Sequence, residues 1–221
     1  EVALKAYPGR CIVNSINLEK HGERVKRILP LCRRYGAAVV AMTIDEKGMA
    51  LTAERKAEIA RRTVQVAREY GVPPESLVFD PLTFTLATGG EEYRHSAVET
   101  LEGIRRIKAE TPGVLTTLGV SNVSFGLARH AREVINSVFL YHAVQAGLDL
   151  AIINPKDVTP YPAIPEAERT LAEELIFDRR PDALARLIEH FGEKGAEKAP
   201  VVEDLLAGKT AEERLHLQIL H

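Results

Sequence analysis

Five runs of apolar, largely β-branched residues recur along the chain, and a helical pattern separates each from the next. They are CIVNSIN (11–17), AAVVAMTID (37–45), SLVFDPL (76–82), LTTLGVSN (115–122) and DLAIINP (149–155). The runs are near-continuous rather than alternating, which predicts strands covered on both faces. Between them, Glu54–Tyr70 sets Ile59, Thr63, Val66 and Tyr70 on one stripe before Gly71, and Phe125–Ala146 sets Leu127, Ala131, Val134, Val138 and His142 on one stripe before Gly147. A glycine in that place closes a helix. Glu23–Tyr35 reads as another helix, with Pro30 predicted to kink it. Ser96 and Glu99 fit a capping box opening a further helix that fades near Thr111-Pro112. Strand, helix, strand, helix at this spacing specifies right-handed βαβ units and a parallel sheet.

Two architectures satisfy that period: a doubly wound sheet, and part of a closed (β/α)8 barrel. The opening EVALKAYPGR reads as the tail of a helix entering the first strand, which favours a barrel whose first three units would precede Glu1. No GxGxxG follows the first run, where NSINLEKHG stands, so the nucleotide-binding form of the doubly wound fold lacks its phosphate loop. After Gly192 the charged stretch EKGAEKAP reads as a linker, and residues 201–221 as two short amphipathic helices of another module.

Composition narrows the partners. With 29 Lys and Arg against 31 Asp and Glu and no basic run, the chain lacks the electrostatic footprint of a nucleic-acid binder. The longest apolar stretch, near Ala37–Ile44, is far too short to span a bilayer, and no signal-peptide order opens the chain, so a cytoplasmic location is expected. Cys11 and Cys32 sit in an apolar run and on a helix with no metal spacing, and none of the seven histidines pairs at such a spacing, so no metal site is expected. His142, on a buried-looking stripe, reads as a packed structural residue.

In a parallel sheet all carboxyl ends form one rim, where residues from successive strands converge. Here the strand ends carry Asn14-Ser15, Asp45, Asp80, Ser121-Asn122 and Asn154. Each alone is explained by local turn or cap bonding. Five together point to a ligand for some of them. The set holds carboxamides and carboxylates without His, Cys or Lys, so it offers no nucleophile and base pair. It suits a flat polar heterocycle: a carboxylate accepts two hydrogen bonds from an amino-imino edge, and a carboxamide matches a mixed edge.

The blocks VNSIN (13–17), MTIDEKG (42–48), FDPL (79–82), GVSNVSFG (119–126), INSVFLYHAVQAGLD (135–149) and AIINP (151–155) closely resemble, in order, the pterin-binding, methyltetrahydrofolate-handling domain of cobalamin-dependent methionine synthases. The tail resembles the start of the helical cobalamin cap of those enzymes. Stand-alone methyltetrahydrofolate:corrinoid methyltransferases and, more distantly, dihydropteroate synthases are similar too. The resemblance implies a (β/α)8 barrel of which residues 1–192 hold strands four to eight, with residues 193–221 leading into the cap. It implies 5-methyltetrahydrofolate as substrate, tetrahydrofolate as product and cobalamin carried by a neighbouring domain. Implied partners are the first three barrel strands, with the third-strand aspartate they carry, and the cobalamin- and homocysteine-binding domains. Asn14, Asp80 and Asn122 match the family's pterin contacts, Asn122 lying beside the methylated ring nitrogen; Gly119 and Ser121 would line the same wall, and Arg132 stands where relatives keep an arginine. The alternatives are a stand-alone methyltetrahydrofolate:corrinoid methyltransferase and a non-catalytic pterin-binding or docking module.

Overall fold

The computed structural model of the chain describes residues 1–88 and 90–196. In order these form α1 (Val2–Ala6), β1 (Ile12–Ile16), α2 (Glu23–Tyr35), β2 (Ala38–Met42), β3 (Ile44–Asp45), β4 (Gly48–Met49), α3 (Ala53–Glu69), β5 (Leu77–Asp80), α4 (Ser96–Glu110), β6 (Leu115–Gly119), α5 (Arg129–Ala146), β7 (Leu150–Ile152), α6 (Glu166–Ile176) and α7 (Ala183–Ala196). The main sheet runs β1-β2-β5-β6-β7 with every neighbouring pair parallel. Each strand is therefore laid beside its predecessor on the same side. A doubly wound sheet needs a reversal of strand order, which is not found here. Right-handed crossovers that never reverse direction place their helices on one face.

That face holds the core. Val39, Ala41, Leu77, Phe79 and Leu118 of the strands meet Leu29, Ile59, Ile104, Ile107, Ile135, Val138 and Phe139 of the helices, all fully buried. Burial contributes about 1.5–3 kcal/mol for each large side chain. The helices stop where glycine permits: Gly36, Gly71 and Gly147 follow α2, α3 and α5 with φ of 63°, 70° and 106°. The opposite face is different. There Ala38, Val40 and Val78 form a small cluster of their own, while Ile12, Leu115, Leu150 and Ile152 are 54, 38, 41 and 60 % exposed. The expected cover on both faces is thus present on one only, among the described residues.

Other local expectations are corrected. The run 37–45 is not one strand: β2 ends at Met42, the Thr43 amide bonds to the Asp80 carbonyl at 3.1 Å, and the chain turns into the antiparallel β3–β4 hairpin, where Gly48 has φ 96°. Helix α5 starts at Arg129 rather than Phe125, whereas α2 keeps its expected bounds with Pro30 inside it. The capping box is not closed, since Ser96 lies inside α4 and bonds to Phe84. Glu99 instead reaches the Ala53 amide and caps the neighbouring α3. Helix α7 runs to Ala196, past the expected boundary at Gly192; the rest of the linker and the two amphipathic helices lie outside the described residues. His142 is packed, its Nε2 lying 3.1 Å from Glu173 Oε1 and its ring edge-on to Phe177. No helix among the described residues is long and apolar enough to cross a membrane.

Candidate functional site

Strand register decides which polar side chains share a face. Asn14 pairs with Val40, Val40 with Val78 and Val78 with Leu115. Side chains alternate along a strand, so Asp80, two residues beyond Val78, and Gly119, four beyond Leu115, lie on the same face as Asn14. It is the open face, away from the helices. Asn122 joins them from the 3₁₀ turn Val120–Ser124. Its Nδ2 sits 3.0 Å from where a Cβ on Gly119 would stand. The missing side chain at Gly119 is what lets the Asn122 amide lie against the strand end. Asn14 and Asn122 are exposed, and neither makes a side-chain hydrogen bond among the described residues.

Asp80 is held more firmly. Its Oδ1 accepts the Leu82 amide at 2.9 Å. Burial pushes its carboxyl above the usual range, against the opposing pull of the Leu82 N–H and the charge of Lys56. A carboxylate so placed is short of donors, and a ligand edge bearing N–H groups would supply them.

The remaining rim residues divide. Ser121, Arg132 and Asn154 line one cleft of about 400 Å³ between the loops after β6 and β7, with Asn136 and Asp157. Arg132 Nε donates to Ser124 Oγ at 3.3 Å, and that hydroxyl lies 2.7 Å from Asn136 Oδ1. Asn154 caps the short turn Pro155–Asp157, accepting the Lys156 amide and donating to Asp157. Asp45 lies outside both groups. It is 1 % exposed and sits on the hairpin, bound to the Lys47 amide, Arg55 and Arg62. Burial alone would raise its pKa, but the Lys47 N–H and the two guanidiniums outweigh that and hold it below the usual range. It pins the hairpin to α3. Asp45→Ala is expected to cost about 2 kcal/mol of folding stability, as loss of a buried ion-pair partner does when the cations keep some solvent. Because the folded pKa is depressed, this stabilisation is present above about pH 4 and is lost as pH falls through the folded value. Urea unfolding of wild type and variant at neutral and acid pH measures it; equal stabilities at neutral pH would contradict the role.

One residue escapes the reading of the rim. Lys56 of α3 is 0 % exposed. Its Nζ donates to the carbonyls of Pro81 at 2.6 Å and Leu82 at 3.2 Å, directly after Asp80. The signal was present in the sequence, since Lys56 interrupts the small-residue stripe of Ala53, Ala57, Ala60 and Val64.

Residues 1–154, the span from α1 through β7, match the family described as pterin binding enzyme. Over 214 residues the chain is 44% identical to a methionine synthase of Mycobacterium tuberculosis, covering 94% of this chain and 18% of that protein. Over 184 residues it is 45% identical to a methionine synthase of Mycobacterium leprae, covering 81% of this chain and 15% of that protein. The chain therefore spans less than a fifth of the length of these curated relatives. With the family match running through all five parallel strands and the polar residues at their ends, this chain belongs to the pterin-binding enzymes.

Proposed function

We propose that the chain is the folate-binding part of a cytoplasmic methyltransferase that moves a methyl group from 5-methyltetrahydrofolate to cob(I)alamin, a step in methionine synthesis. The observation that carries this reading is the gathering of Asn14, Asp80, Gly119 and Asn122 on one open sheet face. The sequential strand order fits strands four to eight of a (β/α)8 barrel. Three further strands would close the sheet edges and cover Ile12, Leu115, Leu150 and Ile152, whose joint exposure is otherwise unfavourable.

Within the pocket, Asp80 accepts hydrogen bonds from the amino-imino edge of the pterin, and Asn14 matches its neighbouring mixed edge. Ser121, Arg132 and Asn154 line the adjoining cleft, where the more polar part of the folate would extend. Asp45 is left out of the site. Among the described residues the open face carries no histidine or thiol, and in this reading the corrinoid is held by a neighbouring cobalamin-binding domain, which with the homocysteine-binding domain is a partner of this chain. When docked, the corrinoid supplies the nucleophile that accepts the methyl group. The protein's task is at the leaving nitrogen. A tertiary amine departs poorly unless its developing negative charge is relieved. The Asn122 amide, exposed and without a side-chain partner among the described residues, can accept a hydrogen bond from the protonated amine or donate one to the neutral form.

Calorimetric titration of the full-length protein with 5-methyltetrahydrofolate, followed by methyl transfer to added cob(I)alamin, tests the reading. Binding with transfer is expected. No binding overturns it, and binding without transfer would mark a docking module.

A further inference from the structure

Lys56 is fully buried, its side chain and ammonium shut off from solvent. The surroundings are built around it. Its stem passes over Gly103 of α4, where a Cβ would stand 2.7 Å from Lys56 Cδ. Its Nζ lies 5.6 Å from the centre of the Phe84 ring. Its two hydrogen bonds grip Pro81 O and Leu82 O, and Thr100 Oγ1 of α4 also donates to Leu82 O, at 2.8 Å.

Leu82 is a place that needs gripping. It has φ 62°, a left-handed conformation that leucine adopts only when its surroundings enforce it. The same residue gives its N–H to Asp80 Oδ1. A chain of contacts therefore runs from the buried ammonium through the Leu82 carbonyl and amide to the carboxylate on the open face. We infer that Lys56 is a positioning residue for the pterin site: it fixes the Pro81–Leu82 turn so that Asp80 presents its carboxylate ionised and correctly turned to the ligand. This rests on the folate reading of that face.

The charges that Lys56 meets are Asp80 of β5 and Glu99 of α4, and burial, the larger effect, lowers its pKa to about 8. The ammonium is complete below that value and is lost as pH rises through it. Asp80 titrates in the other direction, gaining its acceptors as pH rises through its own raised pKa. Affinity for tetrahydrofolate should then be bell-shaped in pH, its acid limb set by Asp80 and its alkaline limb by Lys56.

The test is calorimetry of tetrahydrofolate binding to full-length wild type and Lys56→Met across this range, with circular dichroism and thermal unfolding alongside. Methionine keeps the stem and removes the charge and donors, and a buried charge replaced by an apolar group of similar shape need not cost stability. The expected result is a folded variant with affinity lowered by about tenfold to a hundredfold near neutral pH, the scale of lost hydrogen bonds to a charged group. Its acid limb moves to higher pH, because Asp80 has lost its cation, and its alkaline limb near pH 8 disappears. Should the Met variant not fold, Lys56→Gln, which keeps one donor group without charge, is expected to show the same two shifts. Wild-type affinity and unmoved limbs in either folded variant would overturn the inference while leaving the folate reading intact. Failure of the wild type to bind tetrahydrofolate would overturn both.

Discussion

Replacing Asn122 with alanine in the full-length protein is expected to lower methyl transfer from 5-methyltetrahydrofolate to cob(I)alamin by about 10²-fold, equivalent to ~2.7 kcal/mol of transition-state stabilisation. Folate affinity should change far less. The reason for the split lies in when the amide acts. In the ground state the N-methyl nitrogen is a weakly demanding neutral amine, and little is lost when one carboxamide is removed. As the carbon–nitrogen bond breaks, that nitrogen acquires charge and needs a proton or a strengthened hydrogen bond, so an interaction that grows along the reaction coordinate shows in rate rather than in binding. The structure leaves the amide available for this: Asn122 is exposed, packs its Nδ2 over Gly119 and has no competing side-chain hydrogen bond among the described residues. Single-turnover rates with unchanged calorimetric affinity would support the role. An unchanged rate would refute it.

Asp80→Asn is expected to act in the opposite way, weakening tetrahydrofolate binding by roughly 30-fold to 150-fold, the scale of about 2–3 kcal/mol for mispaired hydrogen bonds to a buried charged group. Asparagine keeps the size of the side chain and can still accept the Leu82 amide, so the turn should survive. What changes is the ligand side, where a donor now faces donors. The pH dependence supplies an independent check. Because burial raises the Asp80 pKa, wild-type affinity falls as pH drops through that raised value, at milder acidity than an ordinary carboxylate would require. The asparagine variant has no such limb. Equal affinity in the two proteins, or an acid limb persisting in the variant, would remove Asp80 from the pterin contacts.

The parallel sheet was legible in the sequence because a strand covered by helices leaves a run of β-branched residues, and the closing glycines mark where each helix must stop. Gly71 and Gly147 fell where expected for that reason. Asp45 shows where the reading of the rim ran out. A run of apolar residues does not reveal that it breaks after Met42, and the turn through Glu46 and Lys47 carries the carboxylate to Arg55 and Arg62. Glu99 differs for a related reason: a capping signature is local, whereas the amide it satisfies belongs to Ala53 of another helix. Asn14, Asp80 and Gly119 were recoverable as a group, since register and alternation place them together. Asn154 had the turn-capping bonds that short polar residues often make. Lys56 was hidden by its own chemistry, because a lysine on a helix is normally a solvated charge and only its place on an otherwise small-residue stripe hinted at burial.

The most direct measurement is a crystal structure of the full-length protein with tetrahydrofolate bound. A pterin ring is expected against the open face of the sheet, with the Asp80 carboxylate about 3 Å from its amino-imino edge, Asn14 within reach of the same ring and the Asn122 amide beside N5. A pterin bound away from that face, with Asn14, Asp80 and Asn122 each engaged only with its own turn, would contradict it.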